Sequence, residues 1–336
     1  MGFSMPIEGG PHDRTLMAWP CGRWQEFGLL EEAFVNYAEV ANAISSFEPV
    51  TMFADPAFSS QARARCSEAV EVVELPLDDS WLRDSGPIFV TGPGDERMGV
   101  DFVFNAWGEK FPTWQADDRI ARLACENLGV PSTRAPIVLE GGSITVDGEG
   151  SLITTEQCLL HPKRNPHLDR SGIENALGEW LGVSEVIWLG NGLIEDRDTD
   201  GHVDNLCSFV SPGKVVCQTA PGPDDPDCEY LDENLARLRS ARRASGEPIE
   251  VVELPFLPRT EFEGRSVAVP YTNFYLVNGG VIVPTPDGGD STEADALAVL
   301  AHAFPDRQVV GVPSTTLALG GGGIHCITQQ VPSGSP

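Results

Sequence analysis

The chain has 336 residues, 41% of them hydrophobic, enough to bury a sizeable core, so wholesale disorder is excluded. Asp and Glu number 50 against 22 Lys and Arg, and the resulting net charge of −28 argues against nucleic acid or membrane as the main partner. Small cations are the favoured ligands of such a surface, which plain solubility also explains.

In chain order, the first element is a strand-like TLMAW at 15–19, followed by a strong helical pattern over 26–46. A weaker helix over 57–70 leads to the strand VEVVELP at 70–76. The polar segment WLRDSGP at 81–87 then precedes strands at 87–90 and 99–104 and a helix over 116–128. EGGS at 140–143 opens a hairpin, SITV at 143–146 with SLITT at 151–155, and a weaker helix covers 169–181. DGHVDN at 200–205 opens a second hairpin, 205–210 with 214–219, followed by a helix over 229–243 and a strand at 250–256. YTNF at 271–274 opens a third, turning at Asn-Gly within 274–284, then come a helix over 292–304 and a strand at 308–313. GGGGIHC at 320–326 leads into a last strand within 324–330.

The polar residues of these openings are Asp84, Glu140, His202, Asn273 and Cys326, at intervals of 56, 62, 71 and 53 residues. Two or three strands plus a helix, repeated about every 60 residues, predict a closed radial α/β repeat of five units. Its opening loops would meet at one end of a central channel. No linker or low-complexity run divides 1–336, so a single domain is expected.

Eight cysteines with no C-x-x-C pair make a disulfide scaffold or a zinc knuckle unexpected. No apolar run reaches 18 residues and the N-terminus lacks an apolar leader, which predicts a reduced, cytoplasmic protein. Cys66, Cys125, Cys158, Cys207 and Cys217 read as buried and inert, and Cys21 and Cys228 as exposed. Cys326 stands apart, behind four glycines that let backbone approach a ligand closely. His202 and Asp204, two apart, would share one face of a strand and suit a general acid/base beside a cation-binding carboxylate. Alone, the pair is a weak signal, and a satisfied surface pair is the better reading of it. Asp196, Asp198, Asp200 and Gly201 match the first half of a calcium loop, but its twelfth position is Cys207, so no metal is expected there.

Taken together, WLRDSGP, LEGGSITVDGEGS, DTDGHVDN, YTNFYLVNGGVIVP, AFPDRQVVGV and LGGGGIHCITQQVP resemble the agmatine deiminase and bacterial peptidyl-arginine deiminase family of guanidine-modifying enzymes. The resemblance implies a five-bladed α/β-propeller, the pentein fold. It also implies cysteine-dependent hydrolysis of a small guanidine, agmatine before arginine, an arginyl peptide terminus or a specialised metabolite. A non-catalytic binding propeller is disfavoured by the joint presence of the four reactive residues. By position, Cys326 resembles the family's nucleophile and His202 its general acid/base. Asp84 and Asp204 resemble the guanidinium clamp, and Trp81 the aromatic that packs on the aliphatic chain. Glu140, Asp198, Asn273, Gly322 and Gly323 fall at further substrate-side positions. No metal or organic cofactor is implied, and the oligomeric state is left open. The segment WPCGRWQEF at 19–27 departs from the family's W-P-x-R-x-D-x-W, and Thr145 and Gly323 stand where histidine and asparagine are common.

Overall fold

In Leu30–Ser45 the apolar positions recur every three to four residues, so Ala33, Phe34, Tyr37, Ala38, Val40, Ala41 and Ile44 are all buried along one side. Burying Phe34 or Tyr37 stabilises the fold by roughly 2–3 kcal/mol each, and Phe34 also stacks on Trp19 with centroids 5.2 Å apart. The helices Ile120–Leu128 and Arg170–Leu181 both stop at a glycine in the left-handed region, Gly129 and Gly182. The second also starts on an Asp169 cap that accepts the Gly172 N–H at 2.9 Å. Ser59–Arg65, Cys228–Ser240 and Glu293–Ala303 complete the crossover helices. Each expected helix is present, with its ends within five residues of the expected ones.

The computed structural model describes residues 2–262 and 264–334. Its strands form five sheets of one plan, an antiparallel pair extended by a parallel strand beyond a helix. In the first, His12–Ala18 pairs antiparallel with Thr328–Pro332 and parallel with Val50–Ala54, which continues to Val70–Glu74. The others are Ile88–Thr91, Arg97–Val103 and Ser132–Val138; Thr145–Val146, Ser151–Thr155 and Glu185–Leu189; Cys207–Ser211, Lys214–Gln218 and Glu250–Leu254; and Tyr275–Val277, Gly280–Thr285 and Gln308–Pro313. The three expected hairpins form, the second with an irregularity between Phe209 and Ser211, and Val277 lies opposite Gly280 at the Asn-Gly turn. A further hairpin, Arg259–Phe262 with Arg265–Ala268, carries no apolar alternation that would have predicted it. The sheets are separate, and none closes on itself among the described residues. No helix there is long and apolar enough to cross a membrane.

The exposure expected of three cysteines and the strand expected at His202 need correction. Cys21 is buried, against Leu16, Ala18, Phe53, Leu82 and Phe89, because the turn Gly22–Glu26 folds it inward. Cys66, expected to be buried, and Cys228, expected to be exposed, are both half-buried. His202 and Asp204 do not alternate on a strand: Val203–Asn205 is a single helical turn, and the strand starts at Cys207. The cause is local, since Asp196 accepts the His202 N–H at 2.9 Å and the Asn205 side chain at 3.2 Å, curling the backbone away from ladder pairing.

Candidate active site

Each sheet is entered through a short turn, and these turns carry the polar residues singled out in the sequence. Asp84 lies in Leu82–Ser85, Asp204 in Val203–Asn205 and Cys326 in His325–Ile327, with His202 and Asn273 immediately before their own strands or turns. A single turn places its side chains at one depth, and here all five are buried and close together. The Cys326 Sγ lies 3.6 Å from Asp204 Oδ2 and 3.4 Å from Asn273 Nδ2. Asp84 Oδ1 accepts the Gly142 N–H at 2.9 Å and sits 3.8 Å from His202 Nδ1. Only glycine fits at 142: a Cβ there would lie 2.6 Å from His202 Nδ1 and 2.9 Å from both Asp84 Oδ1 and Asp204 Oδ2. Gly322 and Gly323 serve the same end, since a Cβ would meet the Trp81 ring or Asn273 Oδ1 at 2.4 Å.

Three buried polar atoms at the centre have no protein partner: both ring nitrogens of His202 and Asp204 Oδ1. Buried polar groups are ordinarily satisfied, so these are the atoms a polar ligand would complete. Burial, reinforced by Asp204 and Asp84, pushes the Cys326 thiol well above its ordinary value. Burial opposes the imidazolium of His202, but Asp84, Cys158 and Asp204 outweigh it and hold the ring protonated well above its usual range. Burial raises Asp84, with His202 opposing and the like charge of Asp204 adding to the rise. Asp204 goes the other way: burial is outweighed by His325, His202 and Arg83, and its carboxyl is held below the usual range.

A narrow cleft reaches Cys326 between Trp81, Trp107, Phe111, Asp198 and Arg23. A cavity of about 650 Å³ opens beside it and shares Asp198 and Gly321 with its mouth. Three of the cleft residues escaped the sequence reading. Trp107 donates Nε1–H to Asp84 Oδ2 at 2.8 Å from a segment, Ala106–Glu109, in which Ala106, Trp107 and Glu109 all have positive φ. Such strained backbone at non-glycine residues leaves no pattern to read. Phe111 lies 3.0 Å beneath the guanidinium of Arg23, which also pairs with Asp79 at 3.2 Å. Arg23 belongs to the divergent segment at 19–27, the one signal that could have found it.

Glu140 is fully buried beside His202 and gives both oxygens to Arg164 Nε, at 2.9 and 3.0 Å. Donor atoms of Glu140, Cys158 and His202 lie within 4.8 Å of one another, but a cation there would have to displace that guanidinium. In the acidic loop, Asp196 is engaged as described and Asp200 binds Arg164 at 2.8 Å and Lys110 at 2.7 Å, so neither is free for calcium. Activity is therefore expected to survive exhaustive chelation. A stoichiometric metal requirement, measured after dialysis against EDTA and add-back, would refute this.

Comparison with known proteins points the same way as the constellation. The chain is 43% identical over 359 residues to the agmatine deiminase of Pseudomonas aeruginosa (strain LESB58), covering 99% of this chain and 96% of that one. It is likewise 43% identical over 358 residues to that of Ectopseudomonas mendocina (strain ymp), with the same coverage. Among solved structures, the agmatine deiminase of Enterococcus faecalis superposes with a TM-score of 0.93 at 34% identity, over 99% of this chain and 97% of that one. A cysteine-to-serine form of the C. jejuni agmatine deiminase with substrate bound gives 0.90 at 27% identity, over the same shares. Residues 4–332 match the Porphyromonas-type peptidyl-arginine deiminase family, and to that family, with its α/β pentein fold, this chain belongs.

Proposed function

We propose that the protein hydrolyses agmatine to N-carbamoylputrescine and ammonia, using Cys326 as nucleophile. The observation that carries this reading is the open set at the centre, in which Asp204 Oδ1 and both nitrogens of His202 lack partners beside a buried thiol. A guanidinium is planar and cationic, with N–H forks that match carboxylates. Asp84 and Asp204 grip it and present its central carbon to Cys326 Sγ. The bound cation offsets the two charges that suppress thiol ionisation, so the substrate assists its own attack.

Sulfur adds to the guanidinium carbon, and the C–N bond to the departing nitrogen breaks as His202 protonates it, releasing ammonia. The resulting S-alkylthiouronium is attacked by water, whose proton passes to His202. The C–S bond then breaks and returns the electron pair to Cys326, leaving a urea. Trp81 packs on the methylene chain, and Asp198, exposed at the mouth, meets the distal ammonium. Gly322, Gly323 and Asn273 shape the wall behind the reacting carbon, and Glu140 acts from beside His202. The five sheets serve as five blades of one domain around the channel that holds the site. The free cysteines fit a cytoplasmic setting.

Arg23 supports a second reading. Its guanidinium shares the mouth with Asp198, and release of its Asp79 partner would offer a carboxylate-bearing guanidine a site. The engaged state of Arg23 and the free state of Asp198 favour the dication. Agmatine is expected to exceed arginine in kcat/KM by at least ~100-fold, about 2.7 kcal/mol in transition-state binding. Steady-state ammonia release with both compounds decides it, and a preference for arginine would transfer the function to the second reading.

A further inference from the structure

Behind the site, away from the cleft, lies a chain of buried charges that the mechanism above does not use. His325, next to the nucleophile, has both ring nitrogens bound to carboxylates: Nδ1 to Asp204 Oδ2 at 2.9 Å and Nε2 to Glu8 Oε2 at 2.8 Å. Glu8 lies 317 residues earlier, in the segment that precedes the first strand. It is held by the Leu276 N–H on Oε1 at 3.1 Å and by Arg83 Nη2 on Oε2 at 3.4 Å. Arg83 is itself fixed to the His325 carbonyl at 3.3 Å and to Gln330 at 2.8 Å. Glu8, His325, Arg83 and Asp204 all line a small cavity that shares no residue with the cleft lined by Trp81 and Asp198.

The arrangement decides which oxygen of Asp204 serves the substrate. Oδ2 is committed to His325, and Oδ1 is left bare. We infer that His325 and Glu8 are positioning residues that fix the orientation and the charge of the Asp204 carboxylate from behind the site. This deepens the deiminase reading and rests on it.

The electrostatics agree in direction. Burial and Arg83 both work against an imidazolium at His325, but Glu8 and Asp204 outweigh them and raise it. Burial likewise works against the Glu8 carboxylate, and His325 and Arg83 overcome it, lowering it to about 2. The other charged groups around this chain are Asp84 and His202 beside Asp204, and Arg307, which acts on Glu8 from the fifth sheet's side. His12 binds the Glu8 carbonyl at 2.7 Å and Glu48 at 3.1 Å. None of these last groups bonds to His325, so its charge depends on Glu8 and Asp204.

Glu8→Gln isolates that charge. The amide keeps an oxygen for Leu276 and a donor for Nε2 of His325, but removes the anion that makes His325 cationic. A neutral His325 still donates to Asp204, without the positive charge. The Asp204 carboxyl, active only when ionised, then titrates at a higher pH, and activity is lost earlier as pH falls. The acid limb of kcat/KM for agmatine should move up by about one pH unit, with roughly 10-fold lost at its foot. His325→Gln should move it in the same direction. The wild-type enzyme must first turn over a guanidine; if it turns over none, the deiminase reading fails rather than this inference. If the wild type is active and either folded variant keeps the wild-type acid limb, the inference is overturned. Failure of both variants to fold would also overturn it, assigning the pair to the fold instead of the site.

Discussion

Cys326→Ala is expected to lose at least about 10⁴-fold in kcat, because removing a covalent nucleophile leaves only positioning and binding. The side chain is buried among Asp204, Asn273 and His325, and no other thiol lies within reach of the Asp84–Asp204 pair along the cleft. Cys158 lies beside Glu140 and His202, and its thiol is pushed up by burial. Cys228, half-buried on its own helix, provides the control: Cys228→Ser should leave turnover unchanged. Ammonia release by both variants, with circular dichroism to confirm folding, makes the comparison. Substantial turnover in Cys326→Ala would eliminate the thiouronium route.

Asp84→Asn should lose roughly 10³-fold or more in kcat/KM, about 4 kcal/mol, since the clamp gives up one of its two charges in a water-excluded site. Its effect on stability should run the other way. The Asp84 carboxyl is raised by burial and by Asp204, so in the folded state its ionised form is disfavoured. A carboxylate with a raised folded value contributes full stability below its unfolded value and loses it as pH climbs through that range. At neutral pH the neutral amide removes that penalty, while one of its atoms still accepts from Trp107 or Gly142. Thermal melting at neutral pH should therefore show a Tm no lower than wild type in a nearly inactive protein. A variant with normal kinetics would take Asp84 out of contact with the substrate.

Much of this was written in the sequence, for identifiable reasons. The helices and hairpins follow from apolar period and turn chemistry, as at Leu30–Ser45 and the Asn-Gly turn before Gly280. The even spacing of Asp84, Glu140, His202, Asn273 and Cys326 reports one plan used five times, and these residues do converge. What stayed illegible depends on tertiary contacts or on unusual backbone. Trp107 reaches Asp84 only through a left-handed run that includes Ala106, Trp107 and Glu109, and Arg23 is held at the mouth with Phe111 folded beneath it. Glu8 and His325 are far apart in the chain, and nothing local at either position announces the other. His202 and Asp204 were found by type and spacing, yet for the wrong local reason, because Asp196 makes a turn where a strand was expected.

The pairing of His12–Ala18 with Thr328–Pro332 has a consequence for how the enzyme comes into being. The turn that carries Cys326 leads directly into the strand that closes this pair. Until the late strand has left the ribosome and found the early one, the thiol has no fixed place opposite Asp204. Leu16 pairs with Gln329 across the whole of the intervening chain, so loop closure weighs on the folding rate. Activity is therefore expected to appear with the completed fold and not gradually before it.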